Sequence, residues 1–586
     1  MKKSILLSLL ILVMTLSACG NRQMNPGHYK EKITSTYLLI PIQEEAKEIK
    51  TAFTIGNNKE TSKTFYIRLA ENKIDYWVKY DVEAFRGKEI QLSFEGAEGS
   101  MLGIRNIKQS DKFELEYNEP FRPGFHFTPE YGWMNDPNGL VYLDGEYHLF
   151  YQYNPYGNRW GNMHWGHAVS TDLTSWTYLP TAIEPDKLGD IFSGSAVVDS
   201  TNSAGFGKNA LIAIYTANGA TQQQCIAYSI DKGRTFTKYE KNPVLPNPGI
   251  KDFRDPKVHW NEQAKQWVMA LATQQTITFF GSPDLKNWTR LSEFGKNYGA
   301  HGGVWECPDL FPLEFEGKTK WVLLVSINPG GPNGGSATQY FIGDFDGKTF
   351  SADPLPYPLW VDYGRDDYAG VTFSNIGKND GRRIFMGWMS NWDYANDVPT
   401  KSFRNAMTLP RELKLASNGQ HLILTSAPVS EVTKLRGKSG ETINILVNSE
   451  KSITNVLQDF NGKFELNMTI QRKDAKVWGF GLKNELGDYL NFTFDWEQKI
   501  LKVDRRNTGI KEFSQKFATE PFAPLAKHDS YTIRLFMDKA SSEIFINDGE
   551  TVLTNLVFPS QTYKSLTFFT ANKPWNVENL KIFEIK

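Results

Sequence analysis

The chain has 586 residues, which is too long for one small domain and indicates two to four domains. Its formal net charge of −1 gives no reason to expect a nucleic acid or a strongly charged partner. Aromatic residues make up 13% of the chain, so many of them must fill hydrophobic cores.

The first 19 residues predict a targeting segment. Lys2 and Lys3 supply a positive start, and Ser4–Leu16 form an apolar run that is too short to span a membrane stably. Small residues then precede Cys19. The pattern resembles a bacterial lipoprotein signal, with cleavage before Cys19 and acylation of its thiol. A plain secretory signal is the alternative.

An acylated Cys19 would anchor the protein to a membrane face through residues 20–26, which read as a tether. Gly20–Gln23 carry no acidic residue, which favours a periplasm-facing location in the bacterial cell envelope over the cell surface. Cys225 and Cys307 then remain, and two thiols in so long a chain predict separate buried side chains. Because no Cys/His set has zinc-ligand spacing, we expect no metal, and nothing calls for a cofactor.

Residues 27–118 predict a small β-sandwich-like domain. The segments Phe65–Leu69, Asp75–Val78 and Ile90–Phe94 alternate apolar and polar residues or form short strand-like runs. Aromatic residues in this region could bind a ligand, but packing of the domain is the better interpretation.

Residues 119–415 predict a five-bladed β-propeller. A polar turn that ends in an aromatic residue recurs at intervals of 60, 52 and 62 residues, as expected of four-stranded blades with their loops. A further unit over residues 365–410 would complete five blades, whereas chance recurrence of turns is the alternative. The four turns are Ser170–Trp176, Ser229–Phe236, Ser282–Trp288 and Asp344–Phe350.

A polar cluster lies near the start of each inferred blade. Inner strands of a propeller run side by side around a central channel, so residues at their starts should converge on one funnel. We therefore expect Asp136, Asp255 and Glu306 to lie close together. The later clusters are Phe192–Ser195, Phe253–Pro256, Trp305–Asp309 and Asp366–Ala369.

The first cluster, Trp133–Gly139, places Asp136 between two amides that could hold a hydroxyl group. Pro137 restrains the backbone before a strand that starts near Leu140. Since nearly all of these residues are turn formers, a simple turn is the alternative for this stretch taken alone.

Residues 416–586 predict a β-sandwich packed on the propeller. Strict alternation marks Glu465–Ile470, Tyr489–Phe494 and Ile533–Met537, and Glu543–Asn547 runs into the turn Asp548-Gly549. The fold class is therefore all-β: a five-bladed β-propeller followed by a C-terminal β-sandwich, with an extra small N-terminal β-domain.

Five motifs in this order resemble glycoside hydrolase family 32, the invertases, inulinases and levanases. The resemblance covers residues 121–586 and leaves the N-terminal domain outside the usual two-domain pattern. The motifs are Trp133–Gly139, Phe192–Ser195, Arg254-Asp255-Pro256, Glu306–Asp309 and Ser541–Gly549.

The resemblance implies retaining hydrolysis of β-fructosidic bonds. It implies Asp136 as the nucleophile, Glu306 as the acid/base and Asp255 as the transition-state stabiliser. A short Asp beside a proline suits a fixed nucleophile, and a longer Glu suits a proton donor. The candidate substrate-binding residues are Trp133, Asn135, Gln152, Trp160, Phe192, Ser193, Arg254 and Trp392.

We expect a lipid-anchored enzyme that removes terminal fructose from levan, inulin, fructo-oligosaccharides or sucrose, because a funnel with the nucleophile near its base favours exo-action. An endo-levanase or a fructosyltransferase on the same fold is the nearest alternative. A non-catalytic fructan-binding protein is disfavoured because a binder needs no paired acid and nucleophile. A related propeller acting on arabinan is disfavoured by Trp133–Gly139.

Overall fold

A computed structural model describes residues 27–56, 58–97, 101–115, 118–377 and 379–586. The predicted targeting segment, Cys19 and the tether 20–26 lie outside these residues. The described residues divide into two compact units, one within residues 27–74 and 81–112 and one within residues 75–80 and 113–586. In the described ranges no helix is long and apolar enough to cross a membrane.

The first unit is built from short strands, with buried Phe53 and Leu92 in its core. Four strands form a sheet in the order β1-β6-β3-β4, and β2 pairs with β7. The unit ends at residue 112 and omits residues 75–80, so its bounds differ from the predicted 27–118. The elements of the first unit are β1 (His28–Lys32), β2 (Tyr37–Ile42), β3 (Ile49–Ile55), β4 (Asn58–Ile67), a 3-10 turn (Glu83–Phe85), β6 (Glu89–Phe94), α1 (Leu102–Asn106) and β7 (Lys108–Ser110). The strand β5 (Tyr76–Asp81) belongs almost entirely to the second unit.

The second unit begins with successive antiparallel sheets whose strands follow the chain, as in a β-propeller. Blade 1 has β8 (Gly132–Leu143), β9 (Glu146–Asn154), β10 (His164–Ser170) and β11 (Thr177–Ile183). Blade 2 has β12 (Asp190–Asp199), β13 (Ala210–Asn218), β14 (Gln222–Ser229) and β15 (Thr237–Lys238). Blade 3 has β16 (Phe253–Asn261), β17 (Gln266–Thr273), β18 (Thr276–Ser282) and β19 (Thr289–Phe294).

The remaining two blades complete the predicted five. Blade 4 has β20 (Val304–Phe315), β21 (Lys318–Asn328), β22 (Ala337–Phe345) and β23 (Phe350–Ala352), with β24 (Leu359–Trp360) beside β22. Blade 5 has β25 (Tyr368–Thr372), β26 (Arg383–Met389), β29 (Arg411–Ser417) and β30 (Leu422–Pro428). The short strand β27 (Phe403–Arg404) pairs with β8, and β28 (Ala406–Met407) pairs with β26.

The boundary predicted at residue 415 is wrong, because β29 and β30 form the outer hairpin of blade 5. Residues Arg411–Ser417 pair with Leu422–Pro428, and Arg383–Phe385 of β26 pair with Arg411–Leu413. An outer propeller strand alternates buried and exposed residues just as a sandwich strand does. Alternation after Pro410 therefore could not place the junction.

The repeated turns have one shared structure in blades 1 to 4, where each connects the third strand to the fourth. Asp172 accepts hydrogen bonds from the backbone N–H groups of Thr174 and Ser175, at 2.9 and 2.8 Å. Asp284 and Asp346 accept the same pair of backbone bonds, from the residues two and three positions later. Asp231 accepts one from Thr235, four positions later, at 3.0 Å. The carboxylate holds the turn, and the aromatic residue lies directly before the next strand or is its first residue.

Apolar side chains fill the spaces between successive blades. Phe150 and Trp165 of blade 1, for example, pack with Ile191 and Leu211 of blade 2. The ring closes where Phe403 and Arg404 pair in parallel with Gly132 and Trp133 of the first inner strand. Closure fixes the inner strands around a common axis and so fixes the side chains at their ends.

Two facing sheets with one shared core form the C-terminal sandwich, as predicted. The first sheet holds β31 (Arg436–Ser439), β32 (Ile443–Val447), β34 (Phe464–Gln471), β39 (Ser530–Asp538), β40 (Ser541–Ile546), β41 (Thr551–Leu556) and β43 (Trp575–Ile585). The second holds β33 (Lys451–Ile453), β35 (Val477–Lys483), β36 (Tyr489–Asp495), β37 (Ile500–Asp504), β38 (Phe522–Pro524) and β42 (Ser565–Thr570). Short 3-10 turns cover Ser430–Leu435 and Gln458–Phe460.

A buried ionic network joins the propeller to the sandwich. Arg411 of blade 5 is fully buried and donates to Asp362 at 2.9 Å and Asp367 at 3.0 Å, and also to Glu543 of the sandwich. Arg505 of the sandwich donates to Asp366 at 2.6 Å. Charges buried this deeply are stable only when they are paired, so the two domains form one continuous body.

His126 belongs to the same junction. Its Nδ1 lies 2.9 Å from Asp538 and its Nε2 lies 2.7 Å from Glu543, so both ring nitrogens donate to carboxylates. Burial alone would lower the pKa of His126, but these two hydrogen-bonded carboxylates outweigh burial and raise it to about 9. The side chain is therefore an imidazolium at neutral pH.

We predict that stability falls between pH 6.5 and pH 9 as His126 loses its proton in the folded state. The stabilisation that comes from a raised histidine pKa is fully present below the pKa of the unfolded state and is lost above the pKa of the folded state. Here it amounts to at most roughly 3 kcal/mol of unfolding free energy. Thermal unfolding of the His126→Gln variant should show a lower Tm at pH 6 and a flatter pH profile. His528→Gln, at a half-exposed position, is the control, and an unchanged profile in His126→Gln would contradict the assignment.

Candidate active site

Each inner strand of the propeller has a β-bulge at its polar cluster. A bulge turns side chains away from the regular pleat, so it can aim them into the channel mouth. Trp133–Gly139 is thus part of strand β8 and not the turn before a strand, because the residues that favour turns also suit bulges. The register shifts lie at Met134/Pro137, Phe192/Gly194, Arg254/Lys257, Glu306/Asp309 and Tyr368/Val371.

Asp136 is held by hydrogen bonds to both carboxylate oxygens. Its Oδ1 accepts a bond from Asn135 Nδ2 at 3.0 Å, and its Oδ2 accepts one from Ser193 Oγ at 2.6 Å. Asn135 is in turn fixed by Trp133, whose indole N–H donates to Asn135 Oδ1 at 2.7 Å. These bonds restrict the rotation of Asp136 and leave its carboxylate facing the cavity.

Asp255 adopts a left-handed backbone conformation with φ of 63°, which few residues other than glycine and Asn or Asp tolerate. Its N–H donates to Thr216 Oγ1 at 3.0 Å, and its Oδ2 accepts the backbone N–H of Cys307 at 3.1 Å. The Cys307 thiol contacts Asp255 Oδ2 at 3.7 Å and Asp136 Oδ2 at 3.5 Å. One thiol therefore bridges two carboxylates that are 119 residues apart in sequence.

Glu306 is clamped by a cation and a phenol. Arg254 donates to Glu306 Oε1 from Nε at 3.1 Å and from Nη2 at 2.9 Å, and the Tyr368 hydroxyl donates to Oε2. Arg254 also donates to Asp252 at 2.6 Å, which fixes the guanidinium. The side chain of Glu306 is thus positioned by partners from blades 3 and 5.

The environment of the pocket disfavours the charged form of Asp136 and of Asp255. Burial, and then the negative charge of Glu306, raise the pKa of Asp136 above its usual value. Burial also raises the pKa of Asp255; Arg254 opposes this rise, and Glu306 and Asp136 add to it. A positive charge that develops between these groups would relieve the repulsion, so the site is suited to a cationic transition state.

The three carboxylates open onto one cavity of about 420 Å³. Trp160 is 43% exposed, and its ring meets Phe192 and Trp392 edge to face. These rings form an aromatic rim above a polar base. The predicted residues that line the cavity are Asn135, Gln152, Trp160, Phe192, Ser193, Arg254 and Trp392.

Trp133 differs from the other candidates for substrate contact. It is fully buried and does not line the cavity. Its ring stacks on Trp392 at 5.9 Å between centroids, and its N–H holds Asn135. The prediction that Trp133 binds substrate directly is therefore corrected: it supports two residues that do line the pocket.

Sequence reasoning missed several residues of the site. Gln222 and Asp252 also line the cavity, and Gln222 accepts hydrogen bonds from Phe253 N–H at 2.9 Å and from Arg254 at 3.3 Å. Cys307 was expected only as a buried thiol, yet it lies between two carboxylates. Asp252 could have been suspected from its place two residues before Arg254, but Gln222 begins an outer strand and carries no motif.

In the described ranges no group of three or more His, Cys, Asp or Glu side chains has the arrangement of a metal site. Arg254 supplies the positive charge within the pocket. Its burial tends to lower the pKa of the guanidinium, but the nearby Glu306 and Asp255 outweigh that and raise it. Arg254 therefore remains a fixed cation beside the carboxylates.

The sequence matches Glycosyl hydrolases family 32 N-terminal domain over residues 126–426 and Glycosyl hydrolases family 32 C terminal over residues 431–584. The chain therefore belongs to glycosyl hydrolases family 32, and it is a glycosidase of the β-fructofuranosidase type. Residues 28–125 match a domain of unknown function, DUF4980. The two family 32 matches meet just beyond β30, where the fifth blade ends.

Two relatives match most of the sequence. A levanase of Bacillus subtilis (strain 168) is 48% identical over 483 residues, which cover 80% of this chain and 71% of that protein. An extracellular exo-inulinase of Aspergillus awamori is 38% identical over 500 residues, covering 76% of this chain and 91% of that protein.

Solved structures share the architecture. The exo-inulinase of Aspergillus awamori superposes with a TM-score of 0.74 at 34% identity, covering 80% of this chain and 99% of that one. The fructofuranosidase of Schwanniomyces occidentalis complexed with fructose has a TM-score of 0.72 at 35% identity, covering 81% of this chain and all of that one.

We predict that both described cysteines resist thiol reagents in the folded protein. Burial, and then the charges of Asp136 and Asp255, raise the pKa of Cys307 well above its usual value. Burial raises the pKa of Cys225 to about 12. Because the thiolate is the reactive species, iodoacetamide should label neither cysteine at pH 8 in a chain that starts after Cys19. Both should react in guanidinium chloride, and fast labelling of Cys307 in the folded chain would contradict its burial between the carboxylates.

Proposed function

We propose that this protein hydrolyses β-fructosidic bonds in fructans, fructo-oligosaccharides or sucrose, with retention of configuration and release of terminal fructose. The observation that carries the proposal is the convergence of Asp136, Asp255 and Glu306 on one pocket of a family 32 propeller. Relatives named levanase and exo-inulinase support the substrate class.

In the first step Asp136 attacks the anomeric carbon of a bound fructosyl unit. The bond to the leaving oxygen breaks as Glu306 donates a proton to that oxygen, and a covalent fructosyl-enzyme forms. Ser193 and Asn135 hold Asp136 so that its free lone pair faces the sugar. A carboxylate that is already fixed loses little entropy on reaching the transition state.

In the second step water replaces the leaving group. Glu306 takes a proton from the water, whose oxygen attacks the anomeric carbon and displaces Asp136. Both transition states carry positive charge on the sugar ring. Asp255 lies beside Asp136 across the Cys307 thiol, so its carboxylate stabilises that charge while it accepts hydrogen bonds from ring hydroxyls.

Two residues act through Glu306 as positioning residues. Arg254 and Tyr368 fix the two oxygens of its carboxyl group, so the proton travels along a defined direction toward the leaving oxygen. Arg254 is itself fixed by Asp252 and Gln222. The same guanidinium lines the pocket, where it can donate to a sugar hydroxyl.

The aromatic rim favours exo-action. Trp160, Phe192 and Trp392 stand around a cavity of about 420 Å³, a size suited to a terminal sugar unit and not to the middle of a long chain. Transfer of fructose to another sugar would differ only in the molecule that attacks the fructosyl-enzyme. A non-catalytic binder would have no need to hold three mutually repelling carboxylates in one pocket.

We predict that Asp136→Ala and Glu306→Gln each lower kcat on levan by roughly 1000-fold or more, because each removes a group that acts in both steps. Both variants should keep the Tm within a few degrees, since neither side chain supports a hydrophobic core. Asp199→Asn, at the far end of β12, is the control for loss of a buried carboxylate. Substantial turnover by either active-site variant would contradict the assigned roles.

The products will distinguish exo-action from endo-action. We expect fructose as the only fructan fragment released from levan and inulin, and equal amounts of fructose and glucose from sucrose, when the products are resolved by chromatography. A ladder of oligosaccharides would support an endo-acting enzyme, and longer products from sucrose would support transfer. Arabinan should give no product.

We also propose that Cys19 carries a lipid anchor that holds the enzyme at a periplasm-facing membrane. The basis is the sequence pattern around Cys19, since the structure does not describe these residues. The full-length protein should partition with membranes in a bacterial host and incorporate labelled palmitate, whereas Cys19→Ala should do neither. Equal membrane recovery and labelling of the two proteins would contradict the anchor.

A further inference from the structure

A second cavity lies at the opposite end of the propeller strands. Asp255 and Glu306 stand near the starts of β16 and β20, whereas this cavity is lined by residues near the ends of the same strands, with others from β12, β21 and β26. Its volume is about 1020 Å³, larger than that of the catalytic pocket. The residues used below are Lys257, His259, Trp260, Asp309, Trp321 and Arg383, and we call the cavity the second mouth.

A buried ion pair forms part of the lining of the second mouth. Lys257 Nζ donates to Asp309 Oδ2 at 2.9 Å and to the carbonyl oxygen of Thr372 at 2.6 Å. Thr372 also donates to Asp309 Oδ2 from its N–H at 2.6 Å and its hydroxyl at 2.8 Å. One oxygen of Asp309 is thus saturated, and this fixes the direction of the other.

Several polar atoms at the second mouth have no protein partner. Asp309 is 1% exposed, and its Oδ1 is buried without a hydrogen bond. Both ring nitrogens of His259 and the Nε of Arg383 are also buried without a hydrogen bond. Unpaired buried polar groups are costly, so these four atoms require hydrogen-bond partners that the neighbouring side chains do not supply.

The chemistry of the lining favours a neutral ligand with hydroxyl groups. Burial lowers the pKa of His259 to about 4, so the imidazole is neutral at pH 7 and offers one donor and one acceptor. Asp309 supplies a further acceptor and Arg383 a further donor. The charged side chains of the lining balance at three cations, Lys257, Lys265 and Arg383, and three anions, Glu262, Asp309 and Glu314.

Aromatic surface is also present at the second mouth. Trp260 and Trp321 both line the cavity and are only partly buried. The Trp321 ring packs against His259 at 5.5 Å between centroids. The C–H faces of a sugar pack on flat aromatic rings, and its hydroxyls need both donors and acceptors nearby. The same surface offers little to a phosphate or a peptide carboxylate.

We propose that the second mouth is a non-catalytic binding site for a neutral saccharide. The proposal does not depend on the catalytic roles of Asp136 or Glu306, because the second mouth uses other residues at the other end of the strands. A saccharide held there would keep the enzyme on a carbohydrate-rich surface while the catalytic pocket hydrolyses its substrate.

Isothermal titration of the Glu306→Gln protein with nystose tests the proposal, since slow turnover preserves the ligand. We expect two sites per chain, and one site after His259→Phe and Arg383→Met are added together. His259→Phe keeps the ring that packs on Trp321 but removes both nitrogens, and His528→Phe in the sandwich is the matched control that should retain two sites. In the otherwise unchanged enzyme the double variant should keep kcat/KM on sucrose within about twofold.

Parallel titrations with maltotriose and with potassium phosphate define the ligand class. Binding of nystose but not maltotriose at the second mouth assigns it to fructosyl units, and binding of both assigns it to saccharides in general. The proposal is overturned by a stoichiometry of one, by a second site that survives the double variant, or by binding of phosphate in place of sugar. Continued consumption of nystose by Glu306→Gln would instead refute the catalytic assignment alone.

Discussion

The site depends on holding three carboxylates together around one cavity. Burial raises the pKa of Asp136 and of Asp255, and the negative charge of Glu306 adds to both rises. Arg254 offsets part of this rise at Asp255, where the Cys307 backbone N–H also donates a hydrogen bond, and the Cys307 thiol contacts both aspartates. In the proposed mechanism a positively charged transition state relieves the remaining electrostatic cost.

Such an arrangement needs a rigid frame, because flexible strands would let the charges separate. The closed ring of blades fixes the inner strands, and a bulge at each polar cluster turns the side chains into the channel. The fifth blade carries a second constraint. Tyr368 holds Glu306, and the preceding Asp366 and Asp367 bind Arg505 and Arg411 in the junction with the sandwich. The sandwich therefore supports the catalytic geometry without contributing a residue to the pocket.

Much of this could be predicted from sequence, because the informative features are local. The four turns around Asp172, Asp231, Asp284 and Asp346 repeat along the chain and reveal the blades, and the family motifs carry the three carboxylates. Other features depend on neighbours that are distant in sequence. Gln222 reaches Arg254 from another blade, and Cys307 lies between two carboxylates only in the folded chain. The end of the propeller was misplaced because outer blade strands and sandwich strands have the same alternation.

The central claim is that Asp136 forms a covalent bond to the sugar, which requires two displacements at one carbon. The most direct test is the configuration of a product that cannot revert. When sucrose is incubated with the enzyme in the presence of methanol, the methyl fructofuranoside formed can be identified by NMR spectroscopy. The account predicts the β-anomer, because two inversions restore the original configuration. Formation of the α-anomer would contradict a fructosyl-enzyme at Asp136.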